Sequence, residues 1–472
     1  MKKLFCLLLS ILMICSAVGL TAGAQNTPAV GAQNKAAAAE DFVPVLRFIA
    51  ASDTHVRDED DFTCERIEKM MDETYRIAAQ DAKHPTLDAL LLAGDVTDDG
   101  TATEFEKLEN TLHTAVKSET KLLAIAAKNH DGYHMSREDE RNTIAAITGN
   151  DADFHVVING YHFIGLSVSS KWLSHYDKEQ LNWLKEQLDA ATAENPDQPV
   201  FVMHHEHVKN TVYGSSSFER WGVPYFNDIL EQYPQVVDFS GHSHYPLNHP
   251  NSVWQGAFTA INTGAVKSTD YTVEDMRDIA SYPDNRKCST YWIVEIDAAN
   301  RMHLRGMDLL ADKVLCEYIL ENPADPANRA FSPENKAAAS TAPVFSEGAL
   351  REVAAQSGGC TITVDNAQST DGMPVVLYRA YAIDENGKEI ANTWTMPQYY
   401  ITDAPDTVEL TLKGLGKGTY KIKVVAETAY GVQSAPLETE LTLTSPSKFY
   451  AFITRTAMRG WHLFEVIWNA IF

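Results

Sequence analysis

Leu90, Leu91, Leu92 and Ala93 form an apolar run that stops at Gly94 and gives way to Asp95, Asp98 and Asp99. An apolar run this short, bounded by turn residues, suits a strand buried on both faces of a covered sheet. The carboxylates then lie on the loop at its carboxyl end, where open α/β sheets place their ligands. Gly94 permits a sharp turn without a Cβ clash and presents Asp95 at the rim.

Four further runs end in the same way. Val45–Ala51 leads into Ser52-Asp53-Thr54-His55, and Leu122–Ala127 into Lys128-Asn129-His130-Asp131. Pro199–Met203 leads into His204-His205-Glu206-His207, and Val236–Phe239 into Ser240-Gly241-His242-Ser243-His244. Between these runs lie stretches of helical spacing: 62–79, 104–116 and 178–188. Strand alternating with helix predicts an α/β domain with helices outside the sheet. Segment 154–168 has strand periodicity around Asn159-Gly160, and 290–310 has it around Ala299-Asn300; both read as hairpins. Imidazole, carboxylate and amide donors in this mixture suit borderline metals such as manganese, iron or zinc.

In order, D-x-H, G-D-x-x-D-D-G, N-H-D, H and G-H-x-H resemble the calcineurin-like metallophosphoesterase family, with purple acid phosphatases and cyclic-nucleotide phosphodiesterases among its relatives. The resemblance covers residues 41–320 and implies an αββα sandwich of two facing sheets. It also implies two divalent or trivalent ions (Mn, Fe or Zn) bridged by Asp95. Asp53, His55 and His244 would complete one ion, and Asn129, His204 and His242 the other. His130 corresponds to the family's non-ligand histidine at the phosphate, and Asp131 would orient it through its other nitrogen. His204 is chosen over His205 because the family's ligand follows an apolar strand directly. His205 would then face the opposite way, as a packed or exposed side chain. Asp98 and Asp99 are expected to shape the loop and hold ligands. The chain departs from the pattern at Lys128, where relatives have Gly, and at Glu206, where they have Pro.

The implied chemistry is hydrolysis of a phosphate ester: two close ions activate a water and clamp both oxygens of an in-line displacement at phosphorus. Monoester and diester substrates remain open, as does a surface binding protein built on a non-catalytic scaffold. Tyr213, Ser215, Ser216, Ser217, Phe218, Arg220 and Trp221, with Tyr133 and His134, are candidate substrate-wall residues, equally readable as surface loop. The formal charge of −25 opposes association with long nucleic acids. A small phosphate ester is therefore the expected partner.

Beyond the catalytic domain the chain changes character. Residues 1–24 read as a signal peptide with an Ala22-Gly23-Ala24 cleavage site, implying a secreted or cell-surface protein, and 25–40 as a flexible lead. Removing the signal leaves Cys64, Cys288, Cys316 and Cys360, expected as buried thiols, with one disulfide compatible with export. Residues 321–342 read as a linker. Residues 343–446 carry short strands at 360–364, 375–383, 407–412, 420–427 and 437–443. They resemble a fibronectin type III or immunoglobulin-like all-β sandwich. The last stretch, 447–472, has Ile453, Ala457, Trp461, Phe464, Trp468 and Ile471 at helical spacing, with Arg455 and Arg459 on another stripe. It reads as an amphipathic helix for a membrane surface or a protein partner.

Overall fold

The computed structural model describes residues 42–127, 130–169, 175–216, 221–273, 278–281, 287–446 and Thr456. The predicted signal peptide and lead, Asn129 and Lys128, and the predicted tail helix apart from Thr456 lie outside the described residues. So do Ser217, Phe218 and Arg220.

Two six-stranded sheets form the first domain. In one, Pro44–Ala51, Ala89–Leu92 and Lys121–Ala124 run parallel, and Thr290–Asp297, Met302–Asp308 and Lys313–Leu320 extend it antiparallel. In the other, Tyr161–Gly165, Val200–Met203, Val236–Ser240 and Thr259–Asn262 run parallel between the antiparallel edge strands Phe154–Ile158 and Val253–Gln255. Both expected hairpins form, with Asn159 and Asn300 at positive φ in their turns. The third strand of the antiparallel extension, Lys313–Leu320, was not anticipated.

Strand alternation explains the layering. Leu46, Phe48 and Ala50 point into a core shared with Phe163, Phe201, Met203 and Phe239 of the facing sheet. Ile49 and Ala51 point the other way, onto Ile67, Met70, Leu108 and Ile144 of the helices Phe62–Ala78, Ala102–Ala115 and Arg137–Thr148. On the far side, Val200 and Val202 meet Leu184 and Leu188 of the helix Lys178–Glu194. Period-2 strands facing period-3.6 helices thus give four layers, helix–sheet–sheet–helix.

Two connected groups of sheets follow. Leu350–Gln356, Gly359–Asp365 and Thr407–Lys413 form a three-stranded sheet. Glu389–Thr395, Val375–Asp384, Gly418–Thr428 and Leu437–Leu443 form a four-stranded one. Cys360, Ile362, Tyr378, Leu410, Ile422 and Val424 lie in one core between them. Leu350–Gln356 and Glu389–Thr395 were not expected, because both are half-exposed and alternate weakly. The segment read as a linker contains the helix Pro333–Ala339, whose Lys336 is buried against the first domain. Cys64, Cys288 and Cys360 are buried thiols, whereas Cys316, expected to be buried, is half-buried.

Candidate metal centre

The carboxyl ends of the parallel strands meet at one rim of the two sheets, and Asp53, His55, Asp95, His242 and His244 lie there. Three sets of donor atoms each fall within 4.8 Å of one another: Asp53, His55 and His244; His55, Asp95 and His130; Asp95, His205 and His242. Asp95 belongs to two of them. His55 Nε2 is 3.2 Å from His244 Nε2, and His205 Nε2 is 3.1 Å from His242 Nδ1. Two nitrogens about 2.0–2.1 Å from one zinc-like ion at a near-tetrahedral angle are separated by about 3.3 Å. The paired ring nitrogens therefore stand at the spacing of co-ligands.

The donor set fits such ions in two further ways. Oδ1 of Asp95 is buried with no hydrogen-bond partner among the described residues, an arrangement costly unless something else is bound. Asp53 Oδ2 is occupied, accepting from the His242 backbone N–H at 3.0 Å. The backbone is also distorted at the donors: Asp53, His55, Asp95, His242 and His244 all adopt positive φ, between 45° and 68°. Such conformations cost of order 1–3 kcal/mol each in non-glycine residues and cluster at functional sites. Gly94, at φ 88°, admits no side chain, since a Cβ there would lie 2.7 Å from His205 Nδ1.

Two of the histidines are aimed by their second nitrogen. His55 Nδ1 donates to Asp98 Oδ1 at 3.0 Å, and His205 Nδ1 to the Ala93 carbonyl at 2.8 Å. This turns both Nε2 atoms toward the centre. Asp98 is in turn held by Lys267 Nζ at 2.6 Å. Burial opposes its ionisation, but His55 and Lys267 outweigh burial and keep the carboxyl well below its usual range. Burial likewise disfavours a charged His205, yet the Asp95 carboxylate at 3.1 Å raises its pKa well above the ordinary value.

Two sequence expectations are corrected. His204 does not join the centre: its Nε2 lies 2.8 Å from Asp238 Oδ1, and its ring stacks on Phe226 at 4.2 Å. His205 occupies the place expected of it. The reason is strand parity. Residues 201 and 203 face the other sheet, residue 202 faces the outer helix, and 204 continues the outer face while 205 returns inward. Asp131 does not orient His130. Its Oδ1 accepts from Thr97 N and Oγ1, both at 2.8 Å, and its Oδ2 from Ala127 N at 3.2 Å, so it ties two donor-bearing loops together. His130 Nδ1 donates instead to the Asp98 carbonyl at 2.6 Å. Burial, then the charge on His55, lowers the pKa of His130.

His207 had no firm expected role. It bridges Ser240 Oγ at 2.9 Å and Ser243 Oγ at 2.7 Å, bracing the loop that carries His242 and His244. Burial, then the neighbouring His242 and His204, pushes its pKa down to about 3. Glu206 is buried and held by His175 Nδ1 at 2.7 Å. Of the wall candidates, Tyr133 packs on His130 at 5.2 Å and Trp221 stands edge-on to His242 at 4.6 Å.

The family comparison agrees with this geometry. The family model for calcineurin-like phosphoesterases matches residues 46–246, which contain every donor in the three sets. The chain carries a calcineurin-like metallophosphoesterase domain. The chain is also 27% identical over 193 residues to a probable cyclic nucleotide phosphodiesterase of Rhodococcus erythropolis, over 39% of this chain. That match spans 58% of the relative's length. Among solved structures, the chain resembles GAP50, the anchor in the inner membrane complex of Plasmodium, at TM-score 0.40 and 13% identity, covering 58% of this chain and 88% of that one. It resembles a purple acid phosphatase from yellow lupin (Lupinus luteus) seeds at TM-score 0.40 and 11% identity, covering 61% and 57%.

Proposed function

We propose that this chain is a dinuclear-metal phosphoesterase that hydrolyses a small phosphate ester. Asp95 stands in one donor set with His55 and in another with His205 and His242, and His55 belongs also to the set of Asp53 and His244; this linkage of two donor groups carries the reading, because a closed structural zinc site needs only one set of four ligands. Asp53, His55 and His244 would hold one ion, and His205 and His242 the other, joined by Asn129 from the sequence pattern and bridged by Asp95. Bound there, the ions supply a water of lowered pKa and positive charge for the entering and leaving oxygens.

The chain's own groups do the rest. Asp98 and the Ala93 carbonyl fix the tautomers of His55 and His205. With its Nδ1–H committed to the Asp98 carbonyl, His130 can gain a proton only at Nε2, and that proton is the one available to the departing alkoxide. The backbone strain at the donors holds the constellation before substrate arrives.

A diester substrate is the second reading, supported by the Rhodococcus erythropolis relative named as a probable cyclic nucleotide phosphodiesterase. Metal analysis of the full-length protein, followed by turnover of p-nitrophenyl phosphate and bis(p-nitrophenyl) phosphate with Mn²⁺, distinguishes the two. Asp95→Asn is expected to lower turnover at least about a hundredfold. Hydrolysis at the parental rate by that variant would refute the assignment.

The C-terminal sheets support a fibronectin type III-like sandwich, with Glu389–Thr395 in the four-stranded sheet. An experimental structure pairing that strand with the three-stranded sheet instead would overturn the reading. The sequence of residues 1–24 supports secretion; protein recovered from cells with Met1 intact would refute it.

A further inference from the structure

Residues between Ser240 and Val253 carry two of the candidate donors, His242 and His244, and form no regular secondary structure, yet most are buried. Connecting segments ordinarily run over the surface, where water satisfies their backbone. Here several partners come from the C-terminal part of the chain. Lys336, from the helix Pro333–Ala339, donates to the carbonyls of Pro250 and Val253 at 2.7 and 2.6 Å. Asn248 Nδ2 donates to the Tyr399 carbonyl at 2.7 Å, and the Tyr430 hydroxyl to Asn251 Oδ1 at 2.8 Å.

From Asn251 the contacts continue inward without a gap. Its carbonyl accepts from Tyr213 N at 2.9 Å. The Tyr213 ring stacks on His249 at 3.8 Å and 13°, and packs on Tyr245 at 4.8 Å. The Trp221 indole N–H donates to the Tyr245 hydroxyl at 3.2 Å, and the Trp221 ring stands 4.6 Å from His242. Each link is a hydrogen bond or a ring contact.

We infer that the C-terminal β-domain is a positioning element of the metal centre. Through Tyr430, Asn251, Tyr213 and Tyr245 it sets where Trp221 stands beside His242. The domain is therefore more than a tethered spacer. Trp221 keeps part of its surface exposed next to a donor, so a shift of its ring changes how a substrate seats against the centre. The inference goes beyond the phosphoesterase reading and takes from it only the choice of substrate.

A mutant cycle in the full-length protein tests it, with Tyr430→Phe, Trp221→Phe and the double variant. Lys313→Ala is the control, since Lys313 pairs with Asp403 at 2.7 Å across the same domain boundary, but at 54% and 74% side-chain exposure and away from the relay. The readouts are kcat and KM on bis(p-nitrophenyl) phosphate with Mn²⁺, and hydrogen exchange of residues 245–251. Tyr430→Phe is expected to raise KM about threefold with kcat nearly unchanged, the scale of one neutral hydrogen bond. Combined with Trp221→Phe it should add nothing to KM, because Tyr430 acts through Trp221. Exchange in 245–251 should rise in Tyr430→Phe and not in Lys313→Ala.

Effects on KM that multiply would overturn the inference. So would a Tyr430→Phe variant that exchanges like the parent, or a Lys313→Ala variant that matches Tyr430→Phe. Should the parent hydrolyse nothing, the phosphoesterase reading falls and the exchange comparison alone decides the relay.

Discussion

Replacing each of the adjacent histidines 204 and 205 by alanine should give opposite signatures. His204 is fully buried; its loss leaves Asp238, also fully buried, without the nitrogen at 2.8 Å and removes a ring stacked on Phe226. An unsatisfied buried acceptor costs about 1–3 kcal/mol, and the stacked ring adds about 0.5–1.5 kcal/mol. His204→Ala is therefore expected to lose about 2–4 kcal/mol of stability in the metal-free protein. It should keep the extra stability that metal confers. With free ion at about 100 times its dissociation constant, that increment is about 2.7 kcal/mol. His205→Ala removes a donor lying 3.1 Å from both Asp95 and His242. If affinity falls about a hundredfold, the same ion concentration leaves only about 0.4 kcal/mol. Denaturant unfolding of both variants with Mn²⁺ and with chelator measures the increments directly. A metal increment lost in His204→Ala and retained in His205→Ala would refute the parity argument and restore His204 as the donor.

Other outcomes follow from the same geometry. His130→Asn should retain metal content while kcat falls about 10²–10⁴-fold for an alkyl ester and much less for a p-nitrophenyl ester, whose leaving group needs no proton; equal losses on both substrates would remove His130 from proton transfer. Glu295 sits between Arg47 at 2.6 Å, Arg305 at 3.0 Å and His303 at 3.3 Å. Burial opposes its ionisation, but these cations outweigh it and hold the carboxyl down at about 2, from an ordinary 4.5. Below the unfolded pKa the unfolded chain binds the extra proton. The contribution of roughly 3 kcal/mol is therefore present above about pH 4.5 and lost as pH falls toward 2. Glu295→Gln should flatten acid unfolding in that window; an unchanged slope would dismiss Glu295 as the responsible group.

Much of the architecture could be read directly from residue order. Short apolar runs ending in Asp, His and Asn marked five of the seven parallel strands of the two six-stranded sheets and their ligand-bearing ends. Asn159-Gly160 and Ala299-Asn300 marked the hairpin turns. These features are local: strand period, turn chemistry and donor type are properties of a few neighbouring residues. The same strand ends offered Asp53, His55, Asp95, His242 and His244, and the family resemblance suggested which of them would hold metal.

What only the tertiary structure decided was direction and partnership across distant segments. Which of two adjacent histidines turns inward depends on which strand face meets the second sheet, and residues 199–207 alone do not contain that information. Asp131 could be placed beside His130 from its neighbouring position, but its carboxylate is claimed by the N–H and hydroxyl of Thr97, 34 residues away. The roles of His207 and Tyr430 are likewise set by groups that folding brings within hydrogen-bond reach. A hydrogen bond is chosen by geometry in three dimensions, whereas strand period and turn preference are already fixed along the chain.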